Sequence, residues 1–331
     1  MLVDAFGRVA TDLRVSVTDR CNLRCTYCMP AEGLDWIPGD DLLSAEELVR
    51  LIRLAVSEGV REVRFTGGEP LVRPDLEVII AGVSELPEAP SISLTTNGIG
   101  LANRAAALRA SGLSRINVSL DTLKPERFAS LTRRDRISDV MAGIAAAKDA
   151  GLKPVKINTV LMRDVNDDEV VDLVSWALSE ELELRFIEQM PLDAQHAWSR
   201  QEMVRADEIL QAIGAAFAIE PAEAPRGSDP AERWTVQSHD GSLRGLVGVI
   251  GSVTRPFCSA CDRVRLTSDG QLRNCLFARD ESDLRGPLRQ GATDQQLIET
   301  MRSCLAAKKA GHGIDEPTFV QPPRPMSAIG G

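Results

Sequence analysis

One short stretch constrains this chain more than any other: Cys21-Asn-Leu-Arg-Cys25-Thr-Tyr-Cys28, directly after the alternating run Leu13, Val15, Val17. Alternation of this kind predicts a strand, so the three cysteines fall on the loop that follows it. Three thiolates on one loop suit an iron–sulfur cluster, because soft sulfur ligands fill iron sites and the spacing lets one loop reach three corners of a cube. A cubane that only carries electrons normally takes four cysteines. Three leave one iron able to bind something other than protein. The alternative is a zinc loop or three unrelated thiols, but zinc wants a fourth ligand close by. None of the three histidines is near this stretch.

The seven cysteines group as three, three and one: the first triad, then Cys258, Cys261 and Cys275, then Cys304 alone. The first residues show neither a basic leader nor an apolar signal core, so a cytoplasmic location is expected and the cysteines read as ligands, not as a disulfide framework. Cys304 shares helical spacing with Leu297, Met301 and Leu305, which predicts a buried core thiol. No apolar run is long enough to span a bilayer. The net charge of −10 speaks against non-specific nucleic-acid binding, although it leaves room for an anionic small substrate where Arg and Lys converge.

Strand-like and helix-like segments alternate through the first two thirds. Strands are expected at Leu13 to Val17, Val63 to Phe65, Ile92 to Thr95, Ile116 to Leu120, Val155 to Val160 and Leu182 to Ile187. Capping boxes are expected at Ser44 with Glu47 and at Asn166 with Glu169, and Gly59 should close the first helix. Repeated βα units imply a parallel sheet. Cys21, Gly67-Gly68-Glu69-Pro70, Thr95-Thr-Asn-Gly98, Ser119-Leu-Asp121, Lys156 and Glu188-Gln-Met190 are all placed at or near the C-terminal ends of these strands, the working rim of a barrel. The expected fold is α/β, a partial (β/α)6 TIM-like barrel over residues 1–220. The Pro-rich connector Pro221 to Pro230 then leads to a second domain, 221–331, with hairpins around His239-Asp-Gly-Ser and Ser268-Asp-Gly270. A doubly wound sheet is the alternative.

The cysteine spacing and the Gly67-Gly68-Glu69-Pro70 turn resemble those of the radical S-adenosylmethionine (radical SAM) enzymes. The second triad, taken alone, fits a zinc site with a fourth ligand from elsewhere as well as it fits a cluster. The segments Arg14-Val-Ser-Val-Thr-Asp-Arg-Cys21, Cys258-Ser-Ala-Cys261-Asp-Arg263-Val264-Arg265, Leu272-Arg-Asn-Cys275 and the closing Met326-Ser-Ala-Ile-Gly330-Gly331 make the resemblance specific to the GTP 3′,8-cyclase family. That resemblance implies a [4Fe–4S] cluster on each triad. It implies S-adenosylmethionine contacts from Tyr27, Gly68, Glu69, Ser119 and Met190, with Glu69 near the methionine ammonium. GTP contacts would come from Arg14, Arg64, Thr95, Lys156, Arg263, Val264 and Arg265, with Arg263 and Arg265 also serving catalysis.

The implied reaction removes hydrogen from C3′ of GTP by a 5′-deoxyadenosyl radical and joins C3′ to C8, in molybdenum cofactor biosynthesis. Implied partners are a reductant or electron-donor protein, a downstream cyclic pyranopterin monophosphate synthase and a second copy of the chain in a homodimer, with no nucleic acid and no membrane. Competing readings are a radical SAM enzyme that modifies a peptide and a non-catalytic zinc-stabilised binding protein. Clustered arginines around the second triad count against the peptide. The Gly330-Gly331 terminus, preceded by no obvious folded element, is expected to enter the barrel mouth, because residues without Cβ pass where others cannot.

Overall fold

The computed structural model describes residues 1–330. In chain order its strands are β1 (Asp12–Ser16), β2 (Glu62–Thr66), β3 (Ser91–Thr96), β4 (Arg115–Ser119), β5 (Val155–Leu161), β6 (Glu183–Glu188), β7 (Phe217–Pro221), β8 (Glu232–Ser238), β9 (Arg244–Ile250), β10 (Arg263–Leu266), β11 (Gln271–Arg273) and β12 (Ser282–Asp283). The helices are α1 (Ala45–Ser57), α2 (Leu76–Ser84), α3 (Ala105–Ala110), α4 (Pro125–Thr132), α5 (Ile137–Asp149), α6 (Val170–Ser179), α7 (Ala206–Gly214), α8 (Arg285–Arg289), α9 (Asp294–Ala306) and α10 (Met326–Ile329). Among the described residues no helix is long and apolar enough to cross a membrane.

All strands join one sheet in the order β12-β11-β10-β1-β2-β3-β4-β5-β6-β9-β8-β7. The first six follow one another without reversal, so right-handed crossovers place their helices on one side; the doubly wound alternative, which needs a reversal, is not what forms. Two strands from the C-terminal third extend the parallel run. β10 pairs with β1 and β9 with β6, both parallel. The parallel set is therefore eight strands, open at the antiparallel edges. The expected division at 220/221 falls inside β7, and residues from both sides share one sheet and one hydrophobic core.

Alternation sorts each strand's side chains. Leu13, Val15, Val63, Phe65, Ile92, Leu94, Ile116, Val118, Ile157, Leu184, Phe186, Val264 and Leu266 are buried in that core. The residues between them, including Arg14, Arg64, Thr95, Ser119, Asn158, Arg185 and Arg265, line a cavity on the opposite face. All eight parallel strands contribute to its wall. That is how the open sheet behaves as a barrel.

Both expected hairpins form. Ser44 and Glu47 make the capping box, and Gly59 follows α1 with φ +111°. The second box does not form. Asn166 is buried, accepting from Met162 N at 2.8 Å and donating to Asp121 O at 2.8 Å, while Glu169 accepts from Thr122 Oγ1 at 2.5 Å and Leu123 N at 2.9 Å. These polar groups are spent tying the loop after β4 to the loop after β5, and α6 begins behind a 3-10 turn over Asp167–Glu169.

Candidate functional site

The first cysteine loop leaves β1 and is fastened from behind by the end of α4. Arg24 N and Thr26 N donate to Thr132 O and Leu131 O, and the Arg133 guanidinium donates to Arg24 O at 2.7 Å and Met29 O at 3.1 Å. On the inner side the Gly67-Gly68 segment lies along the same loop: Gly68 N donates to Thr18 O and Glu69 N to Arg20 O, each at 2.8 Å. A Cβ on Gly67 would sit 2.5 Å from Thr18 O, and one on Gly68 the same distance from Arg20 O. The glycines are required here by the chain's own backbone, a closer constraint than the ligand approach expected from sequence.

Glu69 is fully buried. Its carboxylate accepts from Leu71 N at 2.9 Å, Thr96 Oγ1 at 2.7 Å and Asn97 N at 2.7 Å, which clamps the ends of β2 and β3 together. Burial, opposed by these bonds, pushes its pKa up to about 7. Tyr27 donates to Asp121 Oδ2 at 2.7 Å, and burial raises Asp121 to about 6. Tyr27, Gly68, Glu69, Ser119 and Met190 all line the large cavity with Cys21, Cys25 and Cys28.

Among the described residues no three potential ligands converge on a single metal ion; each triad instead lines a cavity. In the first, burial drives the thiols up, Cys21 to about 11 and Cys28 to about 12. Such thiols become thiolates only against a strong cationic centre, which iron supplies. The donor set fits a three-cysteine cluster. The second set is built by the turn Cys258–Ala260, by Cys261 just before β10 and by Cys275 just after β11, around a cavity of 70 Å³.

His312, which sequence reasoning did not single out, also lines this smaller cavity. Its Nδ1 accepts from Ile314 N at 3.1 Å, which leaves Nε2 to donate to Ser252 O at 3.1 Å. Both ring nitrogens are committed to backbone, so His312 does not serve as the fourth ligand a zinc site needs. Three cysteines with an open position fit a second cluster. Cys304 lies in the core on α9, its thiol 3.6 Å from Leu272 O, as expected.

The wall between the triads is cationic. Register places Arg265, Arg14 and Arg64 side by side on β10, β1 and β2, about 4.8 Å apart strand to strand. Arg263 and Arg265 line both cavities. Burial, and then the neighbouring Arg14 charge, lower Arg64 and Arg265 to about 9 each. Asp12 offsets part of this, 3.3 Å from Arg263 and 3.7 Å from Arg14. Arg14 Nε, Arg64 Nε, Arg263 Nη1 and Asn158 Oδ1 are buried without hydrogen-bond partners among the described residues. Like charges across adjacent strands with unspent donors call for an anion.

Arg185, missed in the sequence, joins this wall from β6, held by Glu183 at 2.9 Å and Asp229 at 3.4 Å. Its signal was the one that marks Arg14 and Arg64, a charge alternating with core residues. Arg263 donates to Ser228 O at 2.6 Å and stacks on Phe257, 4.7 Å from the ring centre. Neither Asp262 nor Asp269 pairs with these arginines; Asp262 accepts from Thr11 and Asp269 from Arg324.

Thr95 lines the cavity, whereas Val264 turns its side chain into the core. Lys156 departs from expectation. It is the second residue of β5, at the start and not the rim, and it is bonded to Glu183 at 2.9 Å outside the cavity lining. The tail also differs, since Met326–Ile329 form α10. Ile329 is buried with Leu192 and Phe277, Ser327 lines the large cavity, and Arg265 donates to Gly330 O. Gly331 lies outside the described residues.

Residues 15–177 match the radical SAM superfamily, and residues 182–314 match molybdenum cofactor synthesis C. The chain is 61% identical over 334 residues to the GTP 3′,8-cyclase of Streptomyces coelicolor, covering 100% of this chain and 96% of that one. It is 58% identical over 331 residues to the GTP 3′,8-cyclase of Mycolicibacterium smegmatis, covering 100% and 92%. Among solved structures, Streptococcus suis SuiB bound to precursor peptide SuiA gives a TM-score of 0.62 at 14% identity, over 94% of this chain and 67% of that chain, a likeness of fold alone. Two cysteine loops on one barrel-like sheet and full-length identity to these relatives lead to one statement: the chain belongs to the GTP 3′,8-cyclase family of the radical SAM superfamily.

Proposed function

We propose that this protein converts GTP to (8S)-3′,8-cyclo-7,8-dihydroguanosine 5′-triphosphate, the first step of molybdenum cofactor biosynthesis. The observation that carries the reading is the row Arg265, Arg14, Arg64, set in a cavity of 280 Å³ that the first cysteine triad also lines. A triphosphate supplies the anion that these buried guanidinium groups lack, and Arg meets phosphate with paired donors. A peptide substrate meets such a row only where it is acidic, whereas every nucleoside triphosphate carries the clustered charge.

Cys21, Cys25 and Cys28 would hold a [4Fe–4S] cluster beside S-adenosylmethionine, and Cys258, Cys261 and Cys275 a second cluster. When bound, the first pair supplies a 5′-deoxyadenosyl radical able to take hydrogen from C3′. The chain does the rest. Arg14, Arg64, Arg185 and Arg263 hold the phosphates and so fix where the ribose lies. Arg265 spans triphosphate and tail. The buried α10 segment, with Ile329 and Gly330, closes the cavity wall and keeps water from a reactive substrate radical. Thr95 and Asn158 offer polar atoms to the nucleoside from the same face.

The enzyme works in the cytoplasm as a homodimer, draws electrons from a reductant or donor protein, and passes its product to a cyclic pyranopterin monophosphate synthase. The test is anaerobic incubation of reconstituted protein with GTP, S-adenosylmethionine and dithionite, with products separated by chromatography. A cyclised triphosphate with the mass of GTP should form alongside 5′-deoxyadenosine. Cleavage of S-adenosylmethionine with GTP recovered unchanged would overturn the reading.

A further inference from the structure

Lys308 follows α9 and is buried, 5% exposed. Its Nζ lies 3.0 Å from Cys261 O, 2.8 Å from Arg263 O and 3.6 Å from Cys261 Sγ. An ammonium has three N–H groups, and these acceptors use all of them. None is a carboxylate. A lysine this deep is ordinarily paired with an acid, whereas this one has, among the described residues, only two carbonyls and a sulfur that the second triad would present as a thiolate.

We propose that Lys308 is a positioning residue of the second cysteine site. Its ammonium balances the negative charge of a thiolate-bound cluster and fixes the backbone from Cys261 to Arg263, so that one cation sets both the cluster's electrostatics and the placement of a phosphate-binding arginine. The proposal rests on the reading that Cys258, Cys261 and Cys275 hold an iron–sulfur cluster. Two physical consequences follow. A fixed positive charge at a ligating sulfur favours the reduced, more negative cluster, raising its reduction potential. A carbonyl pinned at Arg263, whose side chain reaches Ser228 O and Phe257 on the cavity side, limits how far the guanidinium can drift.

The test uses the full chain in which Cys21, Cys25 and Cys28 are replaced by Ser, leaving the second site alone to be loaded. Iron content of that protein checks the underlying reading by itself: about four irons per chain keep it, and none removes it. On that background Lys308→Met, Lys308→Gln and Lys308→Arg are compared by redox titration followed by electron paramagnetic resonance, and by the dissociation constant for GTP. Lys308→Met should lower the potential and weaken GTP severalfold, and Lys308→Arg should recover much of both. Loss of the cluster in Lys308→Met with retention in Lys308→Arg supports the same role. Should Lys308→Met be insoluble, Lys308→Gln carries the comparison, because it keeps a donor without the charge. Unchanged potential and GTP affinity in the neutral variants, with only a lower melting temperature, would reduce Lys308 to a latch on α9. Equal failure of Lys308→Arg and the neutral variants would likewise overturn the role of charge.

Discussion

Gly330→Ala isolates the tail's part in the site. Gly330 has φ +77°, and its missing Cβ would overlap Thr66 Oγ1 and lie 3.2 Å from Ser16 Cβ. Left-handed backbone costs an L-residue about 1–2 kcal/mol, and forcing a methyl group into packed surroundings about 1–3 kcal/mol more. The tail is held by burial of Ile329, worth about 1.5–3 kcal/mol, and by the charged bond from Arg265 to Gly330 O, about 1.5–3 kcal/mol. Penalty and anchorage are of the same size. The substitution should therefore release the tail by roughly three-hundredfold in population at a central value near 3.5 kcal/mol. Ile329 packs with Leu192 and Phe277, apart from the main core, so the melting temperature should barely move. Hydrogen exchange at residues 326–330 should accelerate, both clusters should remain, and cyclisation should fall while S-adenosylmethionine is still cleaved. Unchanged protection of the tail with full GTP turnover would refute the steric argument.

Further outcomes follow from the same geometry. Replacing Cys21, Cys25 or Cys28 by Ala should abolish cleavage of S-adenosylmethionine, whereas Cys304→Ala should keep both clusters at a cost of about 1–3 kcal/mol; loss of half the iron in the latter would show it to be a ligand. Arg64→Ala should weaken GTP roughly 10–150-fold, from about 1.5–3 kcal/mol per charge-assisted contact, with guanosine binding little changed in calorimetry. An equal loss for guanosine would point to a collapsed site instead. Glu69 binds its proton more tightly folded, about 7, than its ordinary 4.5, so its contribution to stability is complete below 4.5 and fades as pH rises through 7. Metal-free protein should thus lose about 1.4 kcal/mol between pH 6 and pH 8 through this group, and Glu69→Gln should remove that slope in urea titrations; an equally steep slope in the variant would assign it elsewhere.

The parts legible in the sequence were those that depend on local period and spacing. Arg14, Arg64 and Arg265 came from the resemblance to the family, and strand parity agrees with it, since each alternates with apolar residues on its strand. What the sequence could not show was which strands are neighbours. β10 lies beside β1 across some 250 residues of chain, and this pairing, not any motif, turns separate arginines into a row. Lys156 was misplaced for a different reason: the expected strand starts at Val155, where β5 starts, so its bounds alone put Lys156 at the beginning of the strand and away from the rim. Asn166 was read as a cap from its spacing to Glu169, yet a buried backbone donor, Met162 N, claimed its oxygen; Glu69, whose approach to the methionine ammonium the resemblance implies, also ties β2 to β3 through backbone donors that no motif shows. His312 lies 37 residues beyond Cys275 and meets the second triad only through the fold.

The central claim concerns which substrate hydrogen is removed inside the arginine-lined cavity, and GTP carrying deuterium at C3′ reads it directly. Reconstituted protein is incubated anaerobically with that substrate, S-adenosylmethionine and dithionite, and 5′-deoxyadenosine is collected for mass spectrometry. The account predicts one deuterium in each 5′-deoxyadenosine formed with product, and loss of that label transfer in Arg64→Ala at GTP concentrations that saturate the wild type. Unlabelled 5′-deoxyadenosine beside a cyclised product, or equal label transfer without the arginine, would contradict it.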